Sequence, residues 1–368
     1  MPSRLADLTP DWLTAALREG SVLNVGDVEA VSATVIGEEL GFTGVVARLE
    51  LTYSVAGGGP RSIVAKLPTA ERRIESGFRR RTDAHPQARR RLVKRSQLEI
   101  RFYEEIATGG PSPAPRMFFG AADTGAGTAI LLLEDLGNVR QPDLLAGMSA
   151  SDARAVLGAM APFHAHWWRR AGTSAGWVPA WEPHPQARQD RFDVSVDTFL
   201  DRYSEALPAD VGYVIQAMRK DYGGALRELA AAPPTLIHGD LHADNIVFAD
   251  GAEDAPAVVL DWQTVAVGPA VADVNTLLVG SMTTPTRRRH EMELLAEYHE
   301  LLSAAGVRGL DLAQLVSSYR LASRWHLART VVWLGNTEPA ELAGRERLIV
   351  EGLISEPRVF EAALDHAG

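Results

Sequence analysis

A short stretch of the chain, residues 236–248, begins and ends with apolar residues and carries polar side chains between them. The polar residues that could do chemistry here are His238, Asp240, His242, Asp244 and Asn245. A loop held at both ends by buried, strand-like segments keeps such side chains in fixed positions. Asp240 is able to accept a proton from a substrate hydroxyl or to orient it, and Asn245 offers a neutral side-chain oxygen. A second apolar run, 258–260, ends at Asp261, whose carboxylate is a third oxygen donor.

The chemistry that these oxygen atoms suggest is phosphoryl transfer. Carboxylate and amide oxygens suit Mg²⁺, which keeps several waters and completes its coordination with substrate phosphates. Phosphoryl transfer needs mainly positioning and charge neutralisation, so one base and two metal ligands supply most of what it requires from the protein. The spacing His-x-Asp-x-x-x-x-Asn, followed by an Asp after an apolar strand, matches the catalytic and metal loops of kinases. Asp and Asn also form ordinary turns, but both motifs occurring in order, at strand ends, favour the catalytic interpretation.

Residues 238–245 and 261–263 resemble the corresponding motifs of the aminoglycoside phosphotransferase and choline kinase-like family. A glutamine after the Asp-Trp pair, here Gln263, resembles the corresponding sequence of the ecdysteroid-kinase-like branch of that family. The resemblance extends over roughly residues 38–278 and is most specific in the catalytic motif. It implies an enzyme that uses ATP and Mg²⁺ to phosphorylate a hydroxyl group of a small molecule.

The resemblance also implies a fold and individual roles. Asp240 would be the catalytic base, and Asn245 and Asp261 would be the metal ligands. The implied fold is α+β, two-lobed and protein-kinase-like, with an antiparallel sheet in the N-terminal lobe and a mostly helical C-terminal lobe. We expect the first lobe, 1–136, to hold the nucleotide-binding sheet. The second, 137–368, would hold the catalytic loop, the metal loop and the substrate pocket.

Nucleotide-binding residues are expected in the N-terminal part of the chain. Phe42, Thr43 and Gly44 end a glycine-containing turn whose backbone N–H groups could contact phosphates, although an ordinary hairpin fits the same pattern. Lys66 lies among apolar residues on a predicted strand. The resemblance assigns it to the α- and β-phosphates, and the alternative is a solvated edge-strand lysine. Glu99 resembles the helical glutamate that pairs with this lysine, and two other glutamates of the same helix are alternatives.

The resemblance also implies roles for three more residues. Glu134 and Leu136 lie where the chain leaves the predicted N-terminal sheet, and the family's hinge binds the adenine edge there through backbone groups. Asp273 resembles the buried aspartate that braces the catalytic loop, so we expect it to have a structural role.

Composition restricts the class of protein. The 368 residues include no cysteine, which excludes disulfides and thiolate catalysis and fits a cytoplasmic setting. No apolar stretch is long enough to span a bilayer, and the first residues do not resemble a signal peptide.

A basic segment, 71–95, precedes a helix predicted over 95–107, and we expect it to be solvated and mobile, with an anionic substrate or a membrane surface as alternatives. The remainder of the chain is acidic, which disfavours nucleic acid as a partner.

Other predicted elements lie outside the motifs. Thr9 and Ser149 are expected N-caps, the second for a helix over 149–169 in which His164 is expected to be structural. The segment 177–191 is rich in Pro, Trp and His and is predicted to be a loop, and 338–364 is predicted to be one helix.

The acceptor substrate is less well defined by the sequence. An acidic surface and the residues Trp167, Trp168, Trp262 and Trp325 would suit a cationic or apolar alcohol, through charge attraction and cation–π contact. Choline, aminoglycosides, macrolides, sterol-like alcohols and sugars all stay open, as do the choice between ATP and GTP and the oligomeric state. Arg329 belongs to a helical stripe that fits either the core or a wall of the substrate pocket.

Two other functions fit part of the pattern. A pseudokinase would bind nucleotide and regulate a partner, but every catalytic residue type is present. A protein kinase would use the same loop, but Trp262 and Gln263 replace the usual Phe-Gly after the metal aspartate, and there is no Ala-Pro-Glu segment. A small-molecule kinase is therefore the leading hypothesis.

Overall fold

The computed structural model describes residues 1–36, 44–68, 86–249, 255–342 and 344–367. The chain forms two compact units. The first comprises Met1–Gly109, Ala114–Asn138 and Asp261–Thr264, and the second comprises Gly110–Pro113, Val139–Leu260 and Val265–Gly368. No helix in the described parts is long and apolar enough to cross a membrane. The lobe boundary expected between residues 136 and 137 stays a prediction.

The described part of the first unit is built on an antiparallel sheet. Its strands are β1 (Val28–Ile36), β2 (Val45–Tyr53), β3 (Ser62–Leu67), β4 (Met117–Asp123) and β5 (Thr128–Glu134). They lie in the order β1-β2-β3-β5-β4. Alternate side chains of β2 and β3 point into a core against helix α1 (Pro10–Glu19), whose predicted N-cap Thr9 accepts a hydrogen bond from the backbone of Trp12 at 3.3 Å. This alternation places Lys66 of β3 on the face away from that core.

Helix α2 (Pro86–Arg101) and a π-helical turn (Phe102–Ile106) complete the first unit. The predicted start of this helix at Arg95 was wrong, because the helix already begins at Pro86. Proline fits a first helical turn, where its missing N–H group has no intrahelical partner to lose. Residues 86–95 of the basic segment are therefore helical, and residues 71–85 lie outside the described residues.

The second unit is mostly helical in the part that is described. Its helices are α3 (Ala150–Trp167), α4 (Ala171–Ser174), α5 (Pro185–Tyr203), α6 (Val211–Ala230), α7 (Ala270–Ser281), α8 (Thr284–Ala304), α9 (Leu312–Asn336), α10 (Gly344–Ser355) and α11 (Arg358–Asp365). Strands β6 (Val139–Arg140), β8 (Ile246–Ala249) and β9 (Ala257–Val259) form one small antiparallel sheet, and β7 (Pro234–Ile237) pairs with β10 (Ala266–Pro269) in another. The loop 238–245 thus begins at a strand of one sheet and ends at a strand of the other.

Two predictions for the second unit were wrong. The predicted loop 177–191 overlaps α5, which begins at Pro185, again with proline in the first turn. The single predicted helix over 338–364 is interrupted, because α10 ends at Ser355 and α11 starts after Pro357, where proline cannot continue the hydrogen bonding of a helix. Ser149 caps α3 as predicted and accepts a hydrogen bond from the backbone of Asp152 at 3.1 Å.

Candidate active site

The loop after β7 is held in place by a buried carboxylate. Asp273 of α7 is fully buried and accepts hydrogen bonds from the backbone N–H groups of His238, at 2.6 Å, and Gly239, at 2.8 Å. Gly239 has φ +81°, a left-handed conformation that glycine adopts without a steric penalty. The prediction that Asp273 braces this loop is confirmed.

A second layer of hydrogen bonds supports Asp273. The Nε2 atom of His164 lies 3.3 Å from the Asp273 carboxylate, and its Nδ1 atom lies 2.7 Å from the Tyr298 hydroxyl. His164 and Tyr298 are both fully buried, so this arrangement supports the loop from within the helical core. His164 is structural, as expected from its position on α3.

Asp240 presents its carboxylate beside two basic side chains. One oxygen lies 3.5 Å from Nε2 of His242, and the other accepts a hydrogen bond from Nη2 of Arg329 at 3.3 Å. Burial alone would raise the pKa of Asp240, but His242, Arg329 and His238 lower it overall to well below its usual range. Asp240 is therefore ionised at neutral pH. The Arg329 contact was not predicted as part of the site.

Asn245 is oriented by the backbone of the same loop. Its side-chain nitrogen donates a hydrogen bond to the carbonyl oxygen of Asp240 at 2.9 Å, so the amide oxygen points away from that carbonyl. The preceding residue, Asp244, forms an ion pair with Arg345 of α10, whose Nε lies 3.0 Å from the carboxylate. Arg345 therefore anchors the loop from the C-terminal part of the chain, and nothing near the motif in sequence indicated this contact.

The first unit brings together three other predicted site residues. Nζ of Lys66 lies 2.8 and 3.0 Å from the two carboxylate oxygens of Glu99, and it also forms an ion pair with Asp261. Glu99 is only 1% exposed, whereas Glu104 and Glu105 are exposed on the outside of the helix. Among the three glutamates that the sequence left open, Glu99 is thus the partner of Lys66.

The charges of this cluster depend on one another. Burial alone would lower the pKa of Lys66, but the carboxylates of Asp261 and Glu99 raise it overall. Burial raises the pKa of Glu99, and Lys66 opposes that rise. Lys66 is therefore cationic and is held between two carboxylates, an arrangement suited to presenting one fixed positive charge.

Asp261 is held in an unusual conformation. Its φ of +63° is rare for a residue with a side chain, and such conformations cluster at functional sites. Gln263 donates a hydrogen bond to its carboxylate at 2.8 Å, and the next residue, Trp262, stacks on Phe102 with ring centroids 4.1 Å apart. These contacts fix the direction of the Asp261 side chain, and they give Gln263 a role that the sequence alone did not reveal.

Comparison with known proteins establishes the family. A family model described as the phosphotransferase enzyme family (APH) matches residues 48–312, which is more than half of the chain. The chain belongs to the phosphotransferase enzyme family. This membership confirms the resemblance deduced from the catalytic motif, and it identifies the protein as a small-molecule phosphotransferase. A search of curated proteins found no match.

Solved structures show that the fold of this phosphotransferase is kinase-like. A microcompartment-associated aminopropanol kinase has a TM-score of 0.54 at 14% identity, covering 96% of this chain and 97% of that chain. The GDP complex of an aminoglycoside 2′-phosphotransferase-IIIa variant has a TM-score of 0.51 at 14% identity, covering 93% of each chain. The predicted α+β fold, with an antiparallel sheet followed by a mostly helical part, is confirmed.

The structure of this phosphotransferase describes only some of the remaining residues that were predicted to bind the nucleotide. Phe42 and Thr43 lie outside the described residues. Gly44 lies directly before β2 and packs closely against the end of β3. A Cβ atom at this position would lie 2.3 Å from the carbonyl oxygen of Leu67, so only glycine fits. The N–H group of Glu134 donates to the Arg116 carbonyl oxygen at 2.8 Å, and any adenine contact by Glu134 or Leu136 stays a prediction.

The protein side chains of a phosphotransferase need not supply every ligand of the metal ion, because substrate phosphates and waters supply some of them. Among the described residues, no group of three or more His, Asp or Glu side chains could hold a metal ion by itself. An amide oxygen at Asn245 and a carboxylate at Asp261 nevertheless fit Mg²⁺, which is usually bound through one or two carboxylates together with substrate phosphates. Asn245 belongs to the second unit and Asp261 to the first, and their roles as metal ligands stay predictions.

Of the four tryptophans that could have formed a cation–π site, Trp262 and Trp325 are buried, whereas Trp167 and Trp168 are half-buried. Trp262 is fully buried against Phe102, and Trp325 is only 2% exposed. The guanidinium group of Arg329 lies over the Trp325 ring, 4.8 Å from its centroid. The sequence left open whether the tryptophans line a substrate pocket, and Trp262 and Trp325 are closed to cation–π contact with a ligand because the chain itself covers both rings.

Proposed function

We propose that this phosphotransferase transfers the γ-phosphate of ATP, bound with Mg²⁺, to a hydroxyl group of a small molecule. The observation that carries the proposal is the loop 238–245, in which Asp273 fixes the backbone while Asp240 stays ionised and partly exposed. This arrangement presents one oriented carboxylate to an incoming hydroxyl group. Cytoplasmic location, expected from a sequence without cysteine, stays a prediction.

Asp240 orients the acceptor hydroxyl group and receives its proton. A carboxylate with a lowered pKa is a weak base, so early proton removal would contribute little. Phosphoryl transfer passes through a loose transition state in which most of the work is positioning, so the proton can leave late. The role proposed for Asp240 is therefore alignment of the hydroxyl oxygen first and proton acceptance second.

Lys66, Asn245 and Asp261 serve the nucleotide. Lys66, held by Glu99, provides a fixed positive charge for the α- and β-phosphates. Asn245 and Asp261 would hold Mg²⁺, which neutralises phosphate charge when it is bound. The ion pair between Lys66 and Asp261 places a cation beside one proposed metal ligand. Phe42, Thr43 and Gly44 would contact the phosphates, and Glu134 and Leu136 would contact adenine.

The test separates binding from turnover. Asp240→Asn keeps the shape of the side chain but removes its charge, so ATP binding should persist while ADP release with an accepted alcohol falls by about 10²- to 10⁴-fold. Asp201→Asn removes a carboxylate from the exposed side of α5 and is the matched control. Turnover of Asp240→Asn at the wild-type rate would show that another group receives the proton.

A further inference from the structure

Arg329 of α9 is a rigidly placed cation beside the proposed base. Its Nη2 atom donates to Asp240 at 3.3 Å, and its guanidinium group lies over the ring of Trp325. Trp325 is itself fixed, because its indole N–H donates to Glu182 at 3.1 Å and its ring packs against Trp181 with centroids 5.3 Å apart. The Arg329 side chain therefore has little freedom to move away from Asp240.

Most of the hydrogen-bonding capacity of Arg329 is unused by the parts of the chain that are described. A guanidinium group carries five N–H donors in a planar fork. Among the described residues, only Asp240 accepts a hydrogen bond from it. The side chain is also 39% exposed, so its other donors can reach solvent or a ligand. Any molecule that brings a hydroxyl group to Asp240 must lie within a few ångströms of these donors.

We propose that the acceptor alcohol carries an anionic group, a carboxylate or phosphate, which binds Arg329 while its hydroxyl group meets Asp240. The inference rests on the proposed function, because it assumes that Asp240 receives the acceptor. The planar fork of arginine matches such anions bidentately, and different N–H groups can bond the ligand and Asp240 at once. In the transfer, the acceptor oxygen bonds to the γ-phosphorus, the bond to ADP breaks, and the hydroxyl proton passes to Asp240.

The same contacts disfavour the cationic acceptor that the overall composition suggested. A positive group on the acceptor would meet the positive charge of Arg329 at short range, where like charges repel. The face of the Trp325 ring, which could have attracted such a cation, is covered by Arg329. Net charge acts at long range, whereas Arg329 acts at the base itself, so we expect the local charge to decide which acceptor is used.

The experiment compares three acceptors that differ in one terminal group. Gluconate, glucitol and glucamine are polyols of matched length that end in a carboxylate, a hydroxyl group and an ammonium group. ADP release is measured with ATP and Mg²⁺ for the wild type, Arg329→Gln and Arg329→Glu. Binding of each polyol is also followed by tryptophan fluorescence, because Trp325 contacts Arg329. Arg324→Gln is the matched control, since Arg324 is exposed on the same helix.

The wild type should favour gluconate over glucitol by about 10- to 100-fold, the effect of one hydrogen bond between charged groups. Arg329→Gln should lose this preference, Arg329→Glu should favour glucamine, and Arg324→Gln should behave as the wild type. If none of the polyols is phosphorylated, the ranking in the binding titration must show the same pattern.

Three results would overturn the inference. The first is a wild type that does not favour gluconate in either assay. The second is a wild type that favours glucamine. The third is an equal loss of activity with all three polyols in Arg329→Gln, which would mean that Arg329 acts through Asp240 or the nucleotide and not on the terminal group of the acceptor. Failure of the proposed function would give a different result. Asp240→Asn would then turn over as fast as the wild type, whatever preference the Arg329 variants show among the three polyols.

Discussion

At the scale of single residues, the site depends on side chains that are held in place by other groups of the protein. Lys66 is fixed by Glu99, Asn245 by the backbone of Asp240, and Asp261 by Gln263. The groups that hold these three side chains can affect the rate without contacting the substrate themselves. A loss of positioning is expected to change the nucleotide kinetics, while the protein stays folded.

Glu99→Gln tests this dependence in the nucleotide-binding residues. Removing the Glu99 charge leaves Lys66 paired with Asp261 alone, so Lys66 should be less well placed for the phosphates. We expect the KM for ATP to rise by about tenfold or more, which corresponds to the loss of one charge-assisted hydrogen bond. Steady-state kinetics with varied ATP measure this change.

The matched control is Glu105→Gln, because Glu105 forms an exposed ion pair with Arg101 on the same helix, and such pairs contribute little. An unchanged KM for ATP in Glu99→Gln, with normal folding, would mean that Lys66 does not need Glu99 to bind the phosphates.

At the same scale, sequence spacing predicted only part of the site. The catalytic motif is local, so its residue types and intervals were sufficient to predict roles for Asp240 and Asn245, and those roles stay predictions. Lys66 and Glu99 are 33 residues apart, and the family resemblance was needed to pair them. Arg329 is 89 residues from Asp240 and Arg345 is 101 residues from Asp244, and no local pattern encodes contacts of this length.

At the scale of helices and strands, a buried ion-pair network fastens the C-terminal helix α11 to α8. Arg287 of α8 is fully buried and forms ion pairs with Glu291, at 2.7 Å, and with Asp365 of α11. Arg288 binds the same Asp365 carboxylate from a half-exposed position, at 2.9 Å. The network holds the end of the chain against the helical core.

Replacing Arg287 with Met should destabilise the protein strongly. The substitution keeps much of the side-chain volume but leaves Glu291 and Asp365 without their buried partner, which typically costs about 3 kcal/mol or more. Urea unfolding at neutral pH measures the effect. Arg288→Gln, which removes a half-exposed partner of the same carboxylate, should cost less than about 1 kcal/mol. Equal costs for the two variants would contradict the importance assigned to the buried pair.

The same network predicts how stability changes with pH. Burial alone would raise the pKa of Glu291 and of Asp365, but hydrogen bonds from His366 and Arg287 to the first, and from Arg288 and Arg287 to the second, lower both pKa values overall. Carboxylates with lowered pKa values stabilise the fold above their ordinary pKa of about 4 and lose that contribution as the pH falls through the folded-state value.

The difference in unfolding free energy between wild type and Arg287→Met should therefore shrink on acidification from about pH 7 to about pH 3. Urea unfolding across this range tests it, and a difference that stays constant with pH would show that Glu291 and Asp365 do not contribute through their charge.

Element boundaries were predicted less well than element types. Strands β2 and β3 alternate buried and more exposed residues, whereas β5 is an apolar run that is buried along most of its length, so the period alone does not account for every strand. The Pro-rich composition of 177–191 suggested a loop, but Pro185 lies in the first turn of α5, and the basic composition of 71–95 concealed the start of α2 at Pro86. Pro357 lies between α10 and α11, within the segment 338–364 that was predicted to be one helix.

At the scale of the whole molecule, the sequence predicted the kinase-like fold through its motifs and not through its composition. Apolar and charged fractions indicated only a globular protein, whereas the motif at 238–245 indicated the family that the match over residues 48–312 confirms. Composition also suggested a cationic acceptor, and the charge next to Asp240 argues for the opposite. Net charge describes the surface as a whole and is a poor guide to a site that a few residues define.

The central claim is that the γ-phosphate of ATP passes to a hydroxyl group of a small molecule under the control of Asp240. Phosphorus NMR of reactions with ATP, Mg²⁺ and a panel of hydroxy acids, neutral polyols and amino alcohols tests it most directly. We expect a phosphate monoester of an alcohol that forms with the wild type and is nearly absent with Asp240→Asn. Consumption of ATP that yields only inorganic phosphate across the panel, or an equal monoester yield from Asp240→Asn, would contradict it.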